Sequence, residues 1–331
     1  MMCPSLMTLT ILISLMLGQS APSLGQGRAY EKALRTGELN RVWARSGNAP
    51  GQQFQSLSAL QKFAAGFRSY GEESKLVTEG LSERNGLTVY ERVVAVSNWA
   101  RGIELELVMD AQGRLLAASM DFATKEAPTT YGAYRSLVKL RLPVEDTWHV
   151  LWGGRTWEDN RHASVSDMRF ALDLLQRKNG SSADGKGLRN EDYFAWNQPV
   201  TAPADGVVVV AEDGVVDNQP NRAIGGNLYG NLIVIDHGTE EFTLLGHLKK
   251  GSLLVKPGDR VTRGQRIARV GSSGMSTEPH LHFQLMDTAD WRSANGLPLQ
   301  LHDFVRNGTL VDRAEPRRGD VLTPVSVEAH R

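Results

Sequence analysis

The sequence predicts an α+β chain: an N-terminal helix-plus-curved-sheet roll followed by a mainly antiparallel β-sheet domain. Three observations predict it. Apolar residues recur at spacings of three and four in the first seventy residues, as a buried helix face requires. Strand-like alternation then takes over from Leu87 to Phe122. From Trp148 onward the chain is almost entirely short β-rich runs punctuated by Gly, Pro and Asp. A length of 331 residues with 41% hydrophobic content favours two cores over one.

The first element is a leader. Leu6 to Leu17 (LMTLTILISLML) carries no charge, and Gly18, Gln19 and Ser20 follow it. That run has the length of a signal-peptide core and is too short for an ordinary bilayer-spanning helix. A signal peptide over 1–20, with Ala21 as the first mature residue, predicts a periplasmic or secreted protein. No Lys or Arg precedes Leu6, so an uncleaved anchor or a different start stays open. The single cysteine, Cys3, lies before the apolar run, which disfavours lipidation at its end. The mature chain then has no disulfide and no thiolate, and any metal must be held by His and carboxylates.

Residues 28–127 form the first expected domain. YEKALRTGELNRVWARS and SLSALQKFAAGFRSYG are its helical stretches, separated by the breaks of Ser46-Gly47-Asn48-Ala49-Pro50-Gly51. LTVYERVVAVSNW, GIELELVMD and RLLAASMDF are its strands, with a hairpin turn at Asp110-Ala111-Gln112-Gly113. This pattern resembles the small domains of the nuclear-transport-factor-2-like or cystatin-like kind. Residues 128–147 are expected as a linker with a boundary at Pro143, 148–310 as the second domain, and 311–331 as a peripheral tail. Within the second domain, 177–198 reads as a long polar loop.

Lys plus Arg equals Asp plus Glu at 37 each, and the isoelectric point is near 7.1. Such balance lacks the basic footprint of a nucleic-acid binder and the polybasic surface that holds anionic lipid. No nucleic-acid partner is expected, and no stable membrane insertion once the leader is gone.

Five of the eight histidines fall between 162 and 282. In Pro279-His280-Leu281-His282-Phe283 the period of a strand puts His280 and His282 on one face. Two imidazoles so placed suit a metal ligand beside a proton-handling group. Asp173 lies within the apolar run Phe170-Ala-Leu-Asp-Leu-Leu175, where a charge is costly unless paired or on a metal. His162 precedes it, and His247 closes the run Leu244-Leu-Gly-His247. Taken singly, Asp173 reads as a turn residue and His247 as a structural histidine. Two His and one carboxylate with an open fourth position make the ligand set of catalytic zinc sites.

WGG (152–154), Asn160-Arg-His162, RFALDLL (169–175), VTAPADG (200–206), GNLIVIDHG (230–238), GHL (246–248), VKPGDRVTRGQ (255–265), GSSG (271–274) and PHLHF (279–283) carry a resemblance over about 148–290. In this order they are similar to the catalytic domain of lysostaphin/LytM-type zinc metallopeptidases, which cleave peptide bonds in peptidoglycan. The resemblance implies His162, Asp173 and His282 as ligands of one Zn²⁺. It implies His247 and His280 as the catalytic pair, one activating water and the other steadying the oxyanion, in either assignment. Ten residues separate His162 from Asp173, against three in the family's commonest form, so Asp167 is a rival ligand. Asp173 is favoured because its apolar strand context is the one the family uses. Leu245 stands where the common form has Tyr.

An exported zinc endopeptidase acting on peptidoglycan peptides is therefore the expected function. The alternative is a catalytically silent regulator of other wall hydrolases, possible in relatives that have lost ligands, and a protein regulator as partner stays open. APADGVVVVAEDG and VKPGDRVTRGQRIARVG also fit a biotin- or lipoate-carrying barrel, but no Lys sits at a hairpin tip between small or Met residues. His237 reads as structural. Tyr193, Trp196 and Asn231 are candidates for a substrate groove or for packing, and Gly271 and Gly274 for the turn that aims His280 and His282.

Overall fold

The computed structural model describes residues 21–69, 73–96, 102–124, 126–222 and 228–325. The expected signal peptide over 1–20 lies outside the described residues. Contacts divide the chain into two compact units, the second made of Glu72–Val77, Ala95–Gly102 and everything from Ala123 onward.

In the first unit the expected helical stretches become three helices: α1 (Leu24–Thr36), α2 (Asn40–Ser46) and α3 (Leu57–Arg68). Ser23 and Ser56 cap α1 and α3 by accepting from the backbone N–H of Gln26 and Ala59. Gly37 ends α1 at φ +79°, in the left-handed region, which splits the first apolar run in two. The strands β1 (Glu73–Arg84), β2 (Leu87–Val96), β3 (Ile103–Met109) and β4 (Leu115–Phe122) form a sheet in sequence order. The start of β1 and the end of β2 belong to the second unit. Along β3 burial alternates, so Leu105, Leu107 and Met109 face the helices and pack with Leu34, Leu60 and Phe67. The turn at Asp110–Gly113 forms as expected, with Asp110 Oδ1 accepting from the backbone N–H groups of Gln112 and Arg114.

The second unit is built on an eleven-stranded sheet. Its strands are β5 (Trp148–Trp152), β6 (Leu172–Leu175), β8 (Gly206–Glu212), β9 (Asn231–Asp236), β10 (Phe242–Leu248), β11 (Arg260–Val261), β13 (Leu281–Met286), β14 (Gly296–Leu297), β15 (Leu301–Arg306), β16 (Thr309–Ala314) and β17 (Val321–Pro324). The order is β11-β8-β9-β10-β13-β6-β5-β17-β15-β16, with β14 on β13. A separate pair joins β7 (Pro199–Thr201) to β12 (Arg266–Arg269). β9, β10, β13 and β6 are almost wholly buried on both faces.

Two expected boundaries look different in the fold. The 128–147 segment supplies Leu140, Leu142 and Val144 to the core of the second unit, each at most 1% exposed. It is pinned by the buried Glu241 carboxylate, which accepts from the backbone N–H groups of Leu137 and Val138 and from the Tyr134 hydroxyl. The 311–331 segment contributes strand residues up to Pro324, and Leu322 is fully buried beside β5. The 177–198 segment is free of strands and holds one 3₁₀ turn, Asn190–Asp192. Among the described residues no helix is long and apolar enough to cross a membrane.

Candidate metal centre

Three strands and one turn deliver the predicted histidines to a single place. β6 and β13 are antiparallel neighbours, and their register sets Asp173 opposite His282. The next strand over, β10, puts Gly246 opposite His282, then breaks register between Leu245 and Leu248. At that bulge His247 adopts φ +58°, a conformation costly for a side chain bearing Cβ. The backbone N–H of His247 donates to Tyr229 O at 2.7 Å, and its carbonyl accepts from Gly271 N at 3.0 Å. The bulge turns the imidazole out of the ladder.

His162 comes from a 3₁₀ turn, Arg161–Ser164, ahead of β6. Buried Asn160 holds that turn: its Oδ1 accepts from His162 N at 3.1 Å, and its Nδ2 donates to Ala171 O at 3.0 Å. The eleven-residue step from His162 to Asp173 is thereby folded back on itself.

His162, Asp173 and His282 are all buried, and their ligand atoms lie within 4.8 Å of one another. Asp173 Oδ2 is 2.9 Å from His162 Nε2, and Oδ1 is 3.0 Å from His282 Nδ1. His280 Nε2 approaches Oδ2 at 3.7 Å. The His247 and His280 rings stand beside each other with centroids 4.7 Å apart. Asp167, the rival, is directed elsewhere: its Oδ2 accepts from the Tyr229 hydroxyl at 3.0 Å. Glu91, Glu104 and Glu106 meet the same spacing on the four-stranded sheet, but they are half-buried and Arg84 bridges Glu91 to Glu106.

Second contacts orient the rings. His282 Nε2–H donates to Gln284 Oε1 at 2.8 Å, which leaves Nδ1 to face Asp173. Gln284 in turn donates to Asp167 O at 3.1 Å. His247 Nδ1 donates to Ser273 O and His280 Nδ1 to Glu278 O, each at 2.8 Å. Both therefore keep Nε2 as the nitrogen with a lone pair to offer. Gly274, at φ +74°, and Gly271, where a Cβ would lie 2.4 Å from the Lys249 backbone, permit the turn that presents Ser273 O.

Burial pushes the Asp173 carboxyl upward, but the charges and hydrogen bonds of His162, His280 and His282 outweigh it and hold the group well below the usual carboxylate range. Burial, then the neighbouring His280 and His282, push His247 well below an ordinary histidine. Burial lowers His282 too, against the opposing pull of Asp173. An ionised carboxylate is the form in which Asp173 can hold a metal. Asp173 forms no pair with Lys or Arg among the described residues, so the donor set fits a divalent cation such as zinc.

The cluster floors a cavity of about 360 Å³, whose wall includes Trp152, Arg161, Tyr229, Met275 and Glu278. Tyr193, Trp196 and Asn231 are not in that wall. Asn231 is fully buried and donates to Leu248 O and Val215 O, a structural role. His237 also is structural, bonding Asp205 O and Thr243 Oγ1. Gln284 and Tyr229 were missed from sequence. Gln284 was within reach, since the strand period places it on the face of His280 and His282; Tyr229 sits in a loop and gave no signal.

Residues 191–295 match the family model described as Peptidase family M23. That span holds His247, His280 and His282, whereas His162 and Asp173 precede it. The peptidoglycan DD-endopeptidase ShyA of Vibrio cholerae serotype O1 is 42% identical over 88 residues, covering 27% of this chain and 17% of that protein. The murein hydrolase activator NlpD of Salmonella dublin is 31% identical over 123 residues, covering 37% of this chain and 29% of that protein. The match thus spans under a third of either relative. The catalytic domain of lysostaphin from Staphylococcus simulans aligns at 23% identity over 45% of this chain and 86% of that one, with a TM-score of 0.28. The C-terminal half of this chain carries a Peptidase family M23 domain.

Proposed function

We propose that the chain is an exported zinc metalloendopeptidase that hydrolyses peptide bonds in peptidoglycan cross-links or stem peptides. The observation that carries this reading is the buried meeting of His162, Asp173 and His282 with His247 and His280 alongside. In it, His162, Asp173 and His282 hold one zinc ion. When bound, zinc supplies an acidified water and polarises the scissile carbonyl.

The remaining steps belong to the chain's own groups. His247 and His280 each have Nδ1 tied to a backbone carbonyl, so Nε2 is the atom that takes or gives the proton. One accepts the proton of the attacking water and returns it to the leaving amine. The other takes up a proton at Nε2 and, as the imidazolium, donates a hydrogen bond to the oxyanion as charge develops there. Arg161, held over the faces of Trp157 and Trp152 at 4.2 and 5.4 Å, stands at the cavity wall to meet a peptide carboxylate.

The likeness to an activator favours a second reading, a regulator of other wall hydrolases. Digestion of purified peptidoglycan separates the two. The endopeptidase reading expects soluble peptide fragments with the zinc-loaded protein and none with chelator or with His282→Ala. A regulator digests nothing alone and keeps its effect in cells after His247→Ala.

A further inference from the structure

The second unit carries another cavity, open and of about 1060 Å³, which shares no wall residue with the histidine site. Arg135, Arg155, Arg306, Arg313 and Arg317 line it, with Glu315 and Asp320 as the carboxylates, an excess of three positive charges. Two of the arginines are committed to the frame. Arg155 grips Glu315 through Nε and Nη2, both at 2.6 Å. Arg313 holds Gln300 Oε1 through Nε at 2.8 Å and Ser136 O at 3.1 Å.

Arg135, Arg306 and Arg317 are not so committed: none makes a side-chain hydrogen bond or an ion pair among the described residues, and Arg317 acts on Glu315 through its charge alone. They come from three different segments, namely the stretch before β5, the end of β15 and the approach to β17. Asp320 does not answer them, because its oxygens already accept from Asn307 Nδ2 at 2.9 Å and Arg317 N at 2.8 Å. Surface arginines normally spread apart in water to reduce repulsion. Here the backbone turn at Asn307 and Gly308, both at positive φ, holds Arg306 against the cavity shared with the others.

We propose that this cavity binds a ligand bearing clustered phosphoryl groups. A lone carboxylate is satisfied by one guanidinium fork, as Glu315 is by Arg155. Three uncommitted guanidiniums call for several anions held close together, and a phosphoryl chain brings about one negative charge and two acceptor oxygens per linked group, with more on a terminal group. Free inorganic polyphosphate and a phosphorylated envelope polymer both offer that chemistry.

Calorimetric titration of the zinc-loaded full chain tests it, with inorganic tripolyphosphate, poly(glycerol phosphate) and a poly-glutamate of matched charge as probes. Phosphoryl probes are expected to bind, more weakly as salt rises, and at least about tenfold more weakly after Arg306→Gln with Arg317→Gln. Arg135→Gln with Arg317→Gln, both at exposed positions, gives the same answer if the first pair perturbs the turn. Tighter binding of poly(glycerol phosphate) per phosphate assigns an envelope polymer, and binding of tripolyphosphate alone assigns the free anion. Binding must survive His282→Ala, since zinc also attracts phosphate. Loss of binding in that variant, unchanged affinity in both arginine pairs, equal affinity for poly-glutamate, or no binding at low salt would overturn the proposal.

Discussion

Asp173 and His282 face each other across the β6–β13 ladder, with Oδ1 of one 3.0 Å from Nδ1 of the other. The strand period makes this pairing all-or-none: a slip of β6 by one residue would turn Asp173 to the opposite face and set Leu172 or Leu174 against His282. The apolar neighbours Leu172, Leu174, Leu281 and Phe283 are at most 1% exposed, so burial fixes the register and the register fixes the site.

The choice between the two aspartates is testable. Asp173→Ala is expected to abolish zinc retention, whereas Asp167→Ala keeps the metal and loses the Tyr229 hydrogen bond. That loss costs on the order of 1–2 kcal/mol of stability. Metal content after gel filtration and a denaturant melt measure the two effects; zinc lost from the Asp167 variant but kept by the Asp173 variant would reverse the assignment.

Gln284 acts through His282. Gln284→Leu keeps the volume but removes the acceptor for Nε2–H. Zinc affinity should fall by about ten- to a hundredfold, with the fold unchanged. Competition with a chromogenic chelator reads this directly, and an affinity equal to wild type would remove Gln284 from the account.

The conformation of His247 predicts a split between stability and activity. At φ +58° a glycine is unstrained, so His247→Gly should be more stable than His247→Ala by about 1 kcal/mol. Both variants should retain zinc and lose peptidoglycan digestion. Equal melting of the two would mean the bulge relaxes without the imidazole.

Acid should loosen the first unit through Glu79. Its carboxylate accepts from Arg28, Tyr90 and Arg92, and Arg28 leads the others in lowering its pKa to about 2. Because the folded value is depressed, the stabilisation is present above the ordinary carboxylate pKa and fades as pH falls towards 2. Glu79→Gln should cost about 1–3 kcal/mol at neutral pH and much less at pH 2. A pH series of thermal melts on both proteins checks it, and a mutational cost that stays constant down to pH 2 would contradict it.

Much of this was legible in the chain. The strand period alone puts His280 and His282 on one face, and apolar context marks Asp173 as a charge with a purpose. What the period cannot give is which strands become neighbours: β6 and β13 are over a hundred residues apart, and only the collapsed sheet sets Asp173 against His282. The bulge at His247 is equally silent, since Leu-Gly-His-Leu reads as an ordinary strand end. Around Leu140, Leu142 and Val144 the apolar residues alternate, but Pro143 interrupts them as a domain boundary would, so the sequence reads as a linker where the fold has core. Leu322 lies in the run Val321-Leu-Thr-Pro-Val325, where Pro324 argues against a strand interior and so hides β17.

Zinc stoichiometry of the purified chain, measured by mass spectrometry of the metal beside His162→Ala, Asp173→Ala and His282→Ala, tests the central claim most directly. The account predicts close to one zinc per wild-type chain and near-complete loss in each variant that remains folded. Undiminished zinc in folded variants, or a wild-type chain that takes up none when zinc is supplied, would contradict it.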